Sequence, residues 1–131
     1  MQILLVEDDK NIARLIQYNM DKAGYEVAHA INGAIGFKLV KSFNPDVIIS
    51  DIMMPEVDGF AFRKMLLNAP EYKSIPFIFL TAKGEEDDML TGYDLEIQDY
   101  IVKTSSPKII LAKLKAVINS SEMQKAKGED E

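Results

Sequence analysis

The stretch "DVIISDIMMPEVDG", residues 46–59, puts a charge where a buried strand should end. Val47, Ile48 and Ile49 form a short apolar run, Asp51 follows, and Ile52, Met53 and Met54 continue apolar. Aspartate is a poor strand former and costly to take out of water, so this carboxylate must be compensated or used. Pro55 and Asp58-Gly59 read as turn chemistry that ends the loop and starts a helix, and Met53-Met54 as loop packing.

Four more apolar runs flank this one. They give expected strands β1 at Ile3–Val6, β2 at Tyr25–Ala28, β3 at Val47–Ile49, β4 at Phe77–Leu80 and β5 at Tyr100–Val102. Helical spacing lies between them. Helix α1 is expected through Ile12, Leu15, Ile16 and Met20, and α2 through Phe37, Val40 and Phe43. Helix α3 follows Gly59 through Phe62 and Leu66, α4 carries Leu90 and Tyr93, and α5 runs from Pro107 through Ile118. Gly24, Asn44-Pro45 and Pro70 are stop signals, and the acids at 85–88 suit the N-terminal turn of α4. Strict alternation of apolar strands with helices predicts a flavodoxin-like (βα)5 three-layer α/β fold with parallel strand order 2-1-3-4-5.

Composition agrees with a single domain. The chain has 131 residues, 47% hydrophobic and 27% charged, which is globular usage. A net charge of −6 and a pI near 4.8 argue against direct grip on nucleic acid or on an anionic membrane. The absence of cysteine removes disulfides and thiolate metal sites and fits a reducing compartment. Without a signal-peptide pattern in "MQILLVEDDK", the expected location is cytoplasmic. The expected domain spans 1–119, and "SSEMQKAKGEDE", residues 120–131, is expected to be a polar tail or the start of a linker.

In an open α/β sheet the ligand site lies beyond the carboxyl ends of the strands. There β1 delivers Glu7, Asp8 and Asp9, β3 delivers Asp51, β4 delivers Thr81 and β5 delivers Lys103. Two unit charges 4 Å apart in a partly buried site repel by roughly 4 kcal/mol, so Glu7, Asp8 and Asp51 together need a cation or a proton. A ligand set made only of oxygens, with room for water, suits Mg²⁺. Metal, nucleophilic carboxylate, lysine and hydroxyl are the parts needed to place a phosphoryl group on Asp51. Asp9 is a candidate N-cap for α1, and Thr81 has a second reading as a cap for α4.

With these pieces in order, the chain resembles the receiver domain of two-component response regulators. The resemblance rests on "ILLVEDD", "PDVIISDIMMPEVDG", "FLTAKGEEDD" and "DYIVK" at the expected spacing over residues 1 to about 119. It implies that Asp51 is the phosphoacceptor, loaded from a phosphohistidine on a sensor histidine kinase or histidine phosphotransfer protein. Glu7, Asp8, Asp51 and the backbone carbonyl of Met53 would bind Mg²⁺. Thr81 and Lys103 would contact the phosphoryl group, and Thr81 and Tyr100 would act as the switch. Tyr100 also reads as a plain β-favouring core aromatic. The implied output is a conformational shift of the α4-β5-α5 face toward a downstream protein or output domain.

Met53 and Lys83 match the variable positions flanking the phosphate. An apolar Met53 cannot orient an attacking water, so a long-lived phosphoryl state is expected.

Several residues depart from the family pattern. Thr104 stands where a proline usually follows the lysine, so the Lys103-Thr104 bond is expected to be either a strained cis bond or trans with a shifted loop. Glu96-Ile97 replaces the usual Gly-Ala, so an altered turn is expected there. Met89 and Ile109 replace charged residues of a paired dimer face, which favours an apolar partner contact.

Rival readings fit less well. A haloacid-dehalogenase-type phosphatase expects a second aspartate where Met53 stands, and a flavin or nucleotide binder would meet repulsion from "EDDKN". His29, the single histidine, is expected near the end of β2 without a special role. The remaining alternative is a receiver-like docking module that works without phosphorylation.

Overall fold

In the computed structural model, which describes residues 1–82 and 94–129 with side chains up to 123, five parallel strands lie in the order β2-β1-β3-β4-β5. They are β1 (Gln2–Val6), β2 (Glu26–Ala30), β3 (Val47–Asp51), β4 (Phe77–Thr81) and β5 (Asp99–Val102). The described helices are α1 (Lys10–Lys22), α2 (Gly33–Phe43), α3 (Gly59–Leu67) and α5 (Pro107–Glu129). The residues expected to form α4 and the positions Lys83 and Met89 lie outside the described residues.

Strand residues part alternately to the two faces. Ile3, Leu5, Ile49, Ile78, Leu80 and Ile101 pack against α1 and α5, while Leu4, Val6, Ile48, Phe77, Phe79 and Tyr100 pack against α2 and α3. A period of two with apolar residues on both sides is what a parallel sheet covered on both faces requires. The result is the flavodoxin-like three-layer arrangement expected from the alternation of elements.

Local chemistry starts the helices. Asp9 caps α1 by accepting the Asn11 and Ile12 amides, Asn32 caps α2 through the Ile35 amide, and Asp58 caps α3 through the Ala61 amide. Asn44 closes α2 in the left-handed conformation at φ 54°, directly before Pro45.

Two expectations shift. Strand β2 lies at Glu26–Ala30, not Tyr25–Ala28, because its pairing with β1 runs from Gln2 opposite Glu26 to Val6 opposite Ala30. The Tyr25 amide instead bonds the Met20 carbonyl at the end of α1. Helix α5 continues past residue 119 to Glu129, and its last buried residue among those described is Ile118. At the turn where glycine is missing, Glu96 itself takes the left-handed conformation at φ 54°.

Candidate functional site

Parallel pairing brings the strand ends together at one edge of the sheet. Val6 lies opposite Ser50, so Glu7 follows level with Asp51 on the next strand, and Thr81 lies opposite Val102, so Lys103 follows it directly. The ladder continues into the site, with the Glu7 amide bonded to the Ala30 carbonyl and the Lys103 amide to the Thr81 carbonyl. Each polar residue therefore leaves the sheet from a fixed backbone.

Lys103 bridges the acids. Its Nζ donates to Asp51 Oδ2 at 2.7 Å and to Glu7 Oε1 at 2.9 Å, both charge-assisted contacts. Burial works against the lysine charge, but these hydrogen bonds outweigh it and hold its pKa above the ordinary value. The Lys103-Thr104 bond is trans. The Ser105 amide bonds the Val102 carbonyl at 2.9 Å, so Lys103 and Thr104 form the middle of a tight turn that needs no proline. Of the two expected geometries, the trans one holds, and the lysine still reaches both acids.

Glu7 is fully buried, and Oε2 accepts no hydrogen bond among the described residues. Burial, then the neighbouring Asp51 carboxylate, pushes its pKa up from 4.5 to about 8, against the pull of Lys103. Glu7, Asp8 and Asp51 each place a carboxylate oxygen within 4.8 Å of the others, with Asp8 exposed and the other two buried. One lysine does not neutralise this trio. A buried carboxylate oxygen without a partner among the described residues, in an oxygen-only cluster, fits a hard divalent cation such as Mg²⁺.

Thr81 is buried at the end of β4, and its Oγ1 has no hydrogen-bond partner among the described residues. With Asp51, Met53 and Lys103 it lines a cavity of about 80 Å³. This is well above the roughly 10–15 Å³ that one water needs. The Met53 side chain is 71% exposed at its rim. Tyr100 is buried and stacks on Phe79 with ring centroids 6.0 Å apart, while Ile109 is half exposed on α5.

Three contributors escaped the sequence. A Cβ on Gly59 would collide with the Asp51 carbonyl oxygen, so the start of α3 packs directly on the Asp51 backbone. Ser50 is buried and its hydroxyl donates to the Asp51 carbonyl at 2.9 Å. His29, expected to be without a special role, donates from Nε2 to the Glu7 carbonyl at 2.7 Å. Only the "DG" pair left a signal; the other two contacts depend on strand register.

Comparison with known proteins agrees with this geometry. The sequence profile described as "Response regulator receiver domain" matches residues 3–115. The alkaline phosphatase synthesis transcriptional regulatory protein PhoP of Bacillus subtilis is 37% identical over 122 residues, covering 93% of this chain and 50% of PhoP. The chain spans about half the length of the curated relatives it matches. Among solved structures, the chemotaxis response regulator CheY4 of Vibrio cholerae matches with a TM-score of 0.83 and 30% identity, covering 88% of this chain and 97% of CheY4. The signal receiver domain of a signal transduction histidine kinase from Syntrophus aciditrophicus matches with a TM-score of 0.83 and 29% identity, covering 91% and 90%.

Proposed function

The chain belongs to the response regulator receiver domain family, and on that premise we propose that Asp51 is its phosphoacceptor. The observation that carries this is the meeting of Asp51 with Lys103 at 2.7 Å beside the buried hydroxyl of Thr81, which has no partner among the described residues. A carboxylate oxygen of Asp51 forms the O–P bond as the P–N bond to a donor imidazole breaks, and the imidazole leaves with the bonding pair. Lys103 balances charge on the incoming phosphoryl oxygens, and Thr81 donates a hydrogen bond to one of them.

Glu7, Asp8, Asp51 and the Met53 carbonyl would hold Mg²⁺. When bound, the ion neutralises the carboxylate trio and charge on the phosphoryl oxygens.

The donor is a sensor histidine kinase or a histidine phosphotransfer protein. The loaded state reaches a downstream protein or output domain through the face formed by α4, β5 and α5, with Tyr100 as the switch. We assign 1–119 to the receiver domain and 120–131 to a polar tail or the start of a linker, in a cytoplasmic protein whose receiver domain touches neither nucleic acid nor membrane. Among the described residues no helix is long and apolar enough to cross a membrane. The catalysis is confined to the domain's own phosphorylation and dephosphorylation.

Borohydride reduction of the phosphorylated protein converts an aspartyl phosphate to homoserine. Peptide mapping should find homoserine at position 51, and homoserine at any other acid would overturn the assignment. Met53 presents no polar group to orient water for hydrolysis, so Met53→Asn should shorten the phosphoryl lifetime. An unchanged lifetime would count against that role.

A further inference from the structure

We propose that Arg63 is a positioning residue for β5: its guanidinium clamps the turn at Leu95 and Glu96 and thereby sets where Tyr100 and Lys103 stand. The clamp rests on geometry alone; its bearing on phosphoryl contact by Lys103 rests on the function proposed above.

Arg63 lies on α3 and is 1% exposed, a placement that is costly for a cation without compensation. Its compensation comes from two carbonyls more than thirty residues away. Nε donates to the Leu95 carbonyl and Nη2 to the Glu96 carbonyl, each at 2.9 Å. The second carbonyl belongs to a residue held at φ 54°, where glycine is at ease and a longer side chain is strained. Two charge-assisted bonds thus hold in place a turn that its own sequence disfavours.

The clamped turn leads into a four-residue strand at the sheet edge, paired among the described residues with β4. Its entry is fixed by the Gln98 amide bonding the Phe77 carbonyl at 2.9 Å and by the Gln98 side chain accepting the Phe77 amide. Phe77 also receives the Arg63 guanidinium over its ring, 5.2 Å from the centroid. From there Phe77 packs edge-on against Phe79 at 4.9 Å, and Phe79 stacks on Tyr100. Arg63 therefore reaches β5 by two routes, the turn backbone and the aromatic row. At the far end of this strand Lys103 meets Asp51 and Glu7. Lys113 Nζ also donates to the Tyr100 carbonyl at 2.7 Å, so the strand is held from α5 as well as from the clamped turn.

If Arg63 merely filled space, an apolar side chain of similar length would replace it without regard to residue 96. The test uses the full 131-residue chain, thermal melting and backbone amide NMR, for R63M, E96G, E96Q and the two double variants. R63M should lower the melting temperature by on the order of 10 °C and shift the amide signals from Ile97 through Lys103. In the R63M background E96G should recover about half of both changes, because glycine holds the left-handed turn unaided, whereas E96Q should recover neither. Should R63M fail to fold, folding of R63M/E96G supports the clamp and failure of that double variant overturns it. Additive effects at 63 and 96, equal recovery by E96Q, or amide shifts confined to α3 would likewise overturn it. None of these measurements involves phosphoryl transfer, so they stand or fall separately from Asp51 as acceptor.

Discussion

Glu7 is the residue whose ionisation the fold resists most plainly. Its pKa is raised from 4.5 to about 8, chiefly by burial, so the folded protein binds a proton there more tightly than the unfolded chain does. A raised carboxylate pKa contributes stability that is present below about 4.5 and is lost as pH climbs through about 8. Lys103, whose pKa is also raised, stays charged across that window. In metal-free buffer, urea denaturation should therefore show stability falling from mildly acidic to mildly alkaline pH, and Glu7→Gln should flatten the trend. Added Mg²⁺ should raise the melting temperature more on the alkaline side, where it no longer competes with the proton. A slope unchanged in Glu7→Gln would remove this account of the pocket. The site acids and Lys103 were legible because each directly follows an apolar run, and parallel topology then sends all of them to one edge. Arg63 was not legible, because its partners are backbone carbonyls on a distant turn and carbonyls leave no mark in a sequence.

Elements were legible where punctuation was strong and less so where pairing decides the boundary. Asp9 and Asp58 announce α1 and α3, and both cap as their positions suggest. The offset of β2 arises because a strand ends where its partner stops bonding it, and that partner is β1. At the turn at Glu96 a non-glycine residue is left-handed, and its carbonyl accepts a hydrogen bond from a cation on another element. Gly59 joins local and tertiary levels, since its amide bonds the Ile52 carbonyl at 2.8 Å while its Cα faces the Asp51 carbonyl. Gly59→Ala should cost about 1–3 kcal/mol, from the backbone shift needed to clear that contact. Equilibrium urea unfolding measures it, and a loss under ~0.5 kcal/mol would show that α3 can withdraw freely from Asp51.

At the scale of the whole molecule, three strands each contribute one fixed polar group to a single cavity: Asp51 from β3, Thr81 from β4 and Lys103 beyond β5. Glu7, directly after β1, shares the same lysine as a second acid. The fold is thus legible from alternation alone, while what the site accepts follows from residues that only the folded sheet brings within contact. The central claim is that this edge catalyses transfer of a phosphoryl group to Asp51. Intact-protein mass after incubation with acetyl phosphate and with a histidine-phosphorylated donor, each with and without Mg²⁺, tests it for wild type and Asp51→Asn. The account predicts a Mg²⁺-dependent gain of one phosphoryl group in wild type and none in the variant. No gain from either donor, or an equal gain in Asp51→Asn, would contradict it.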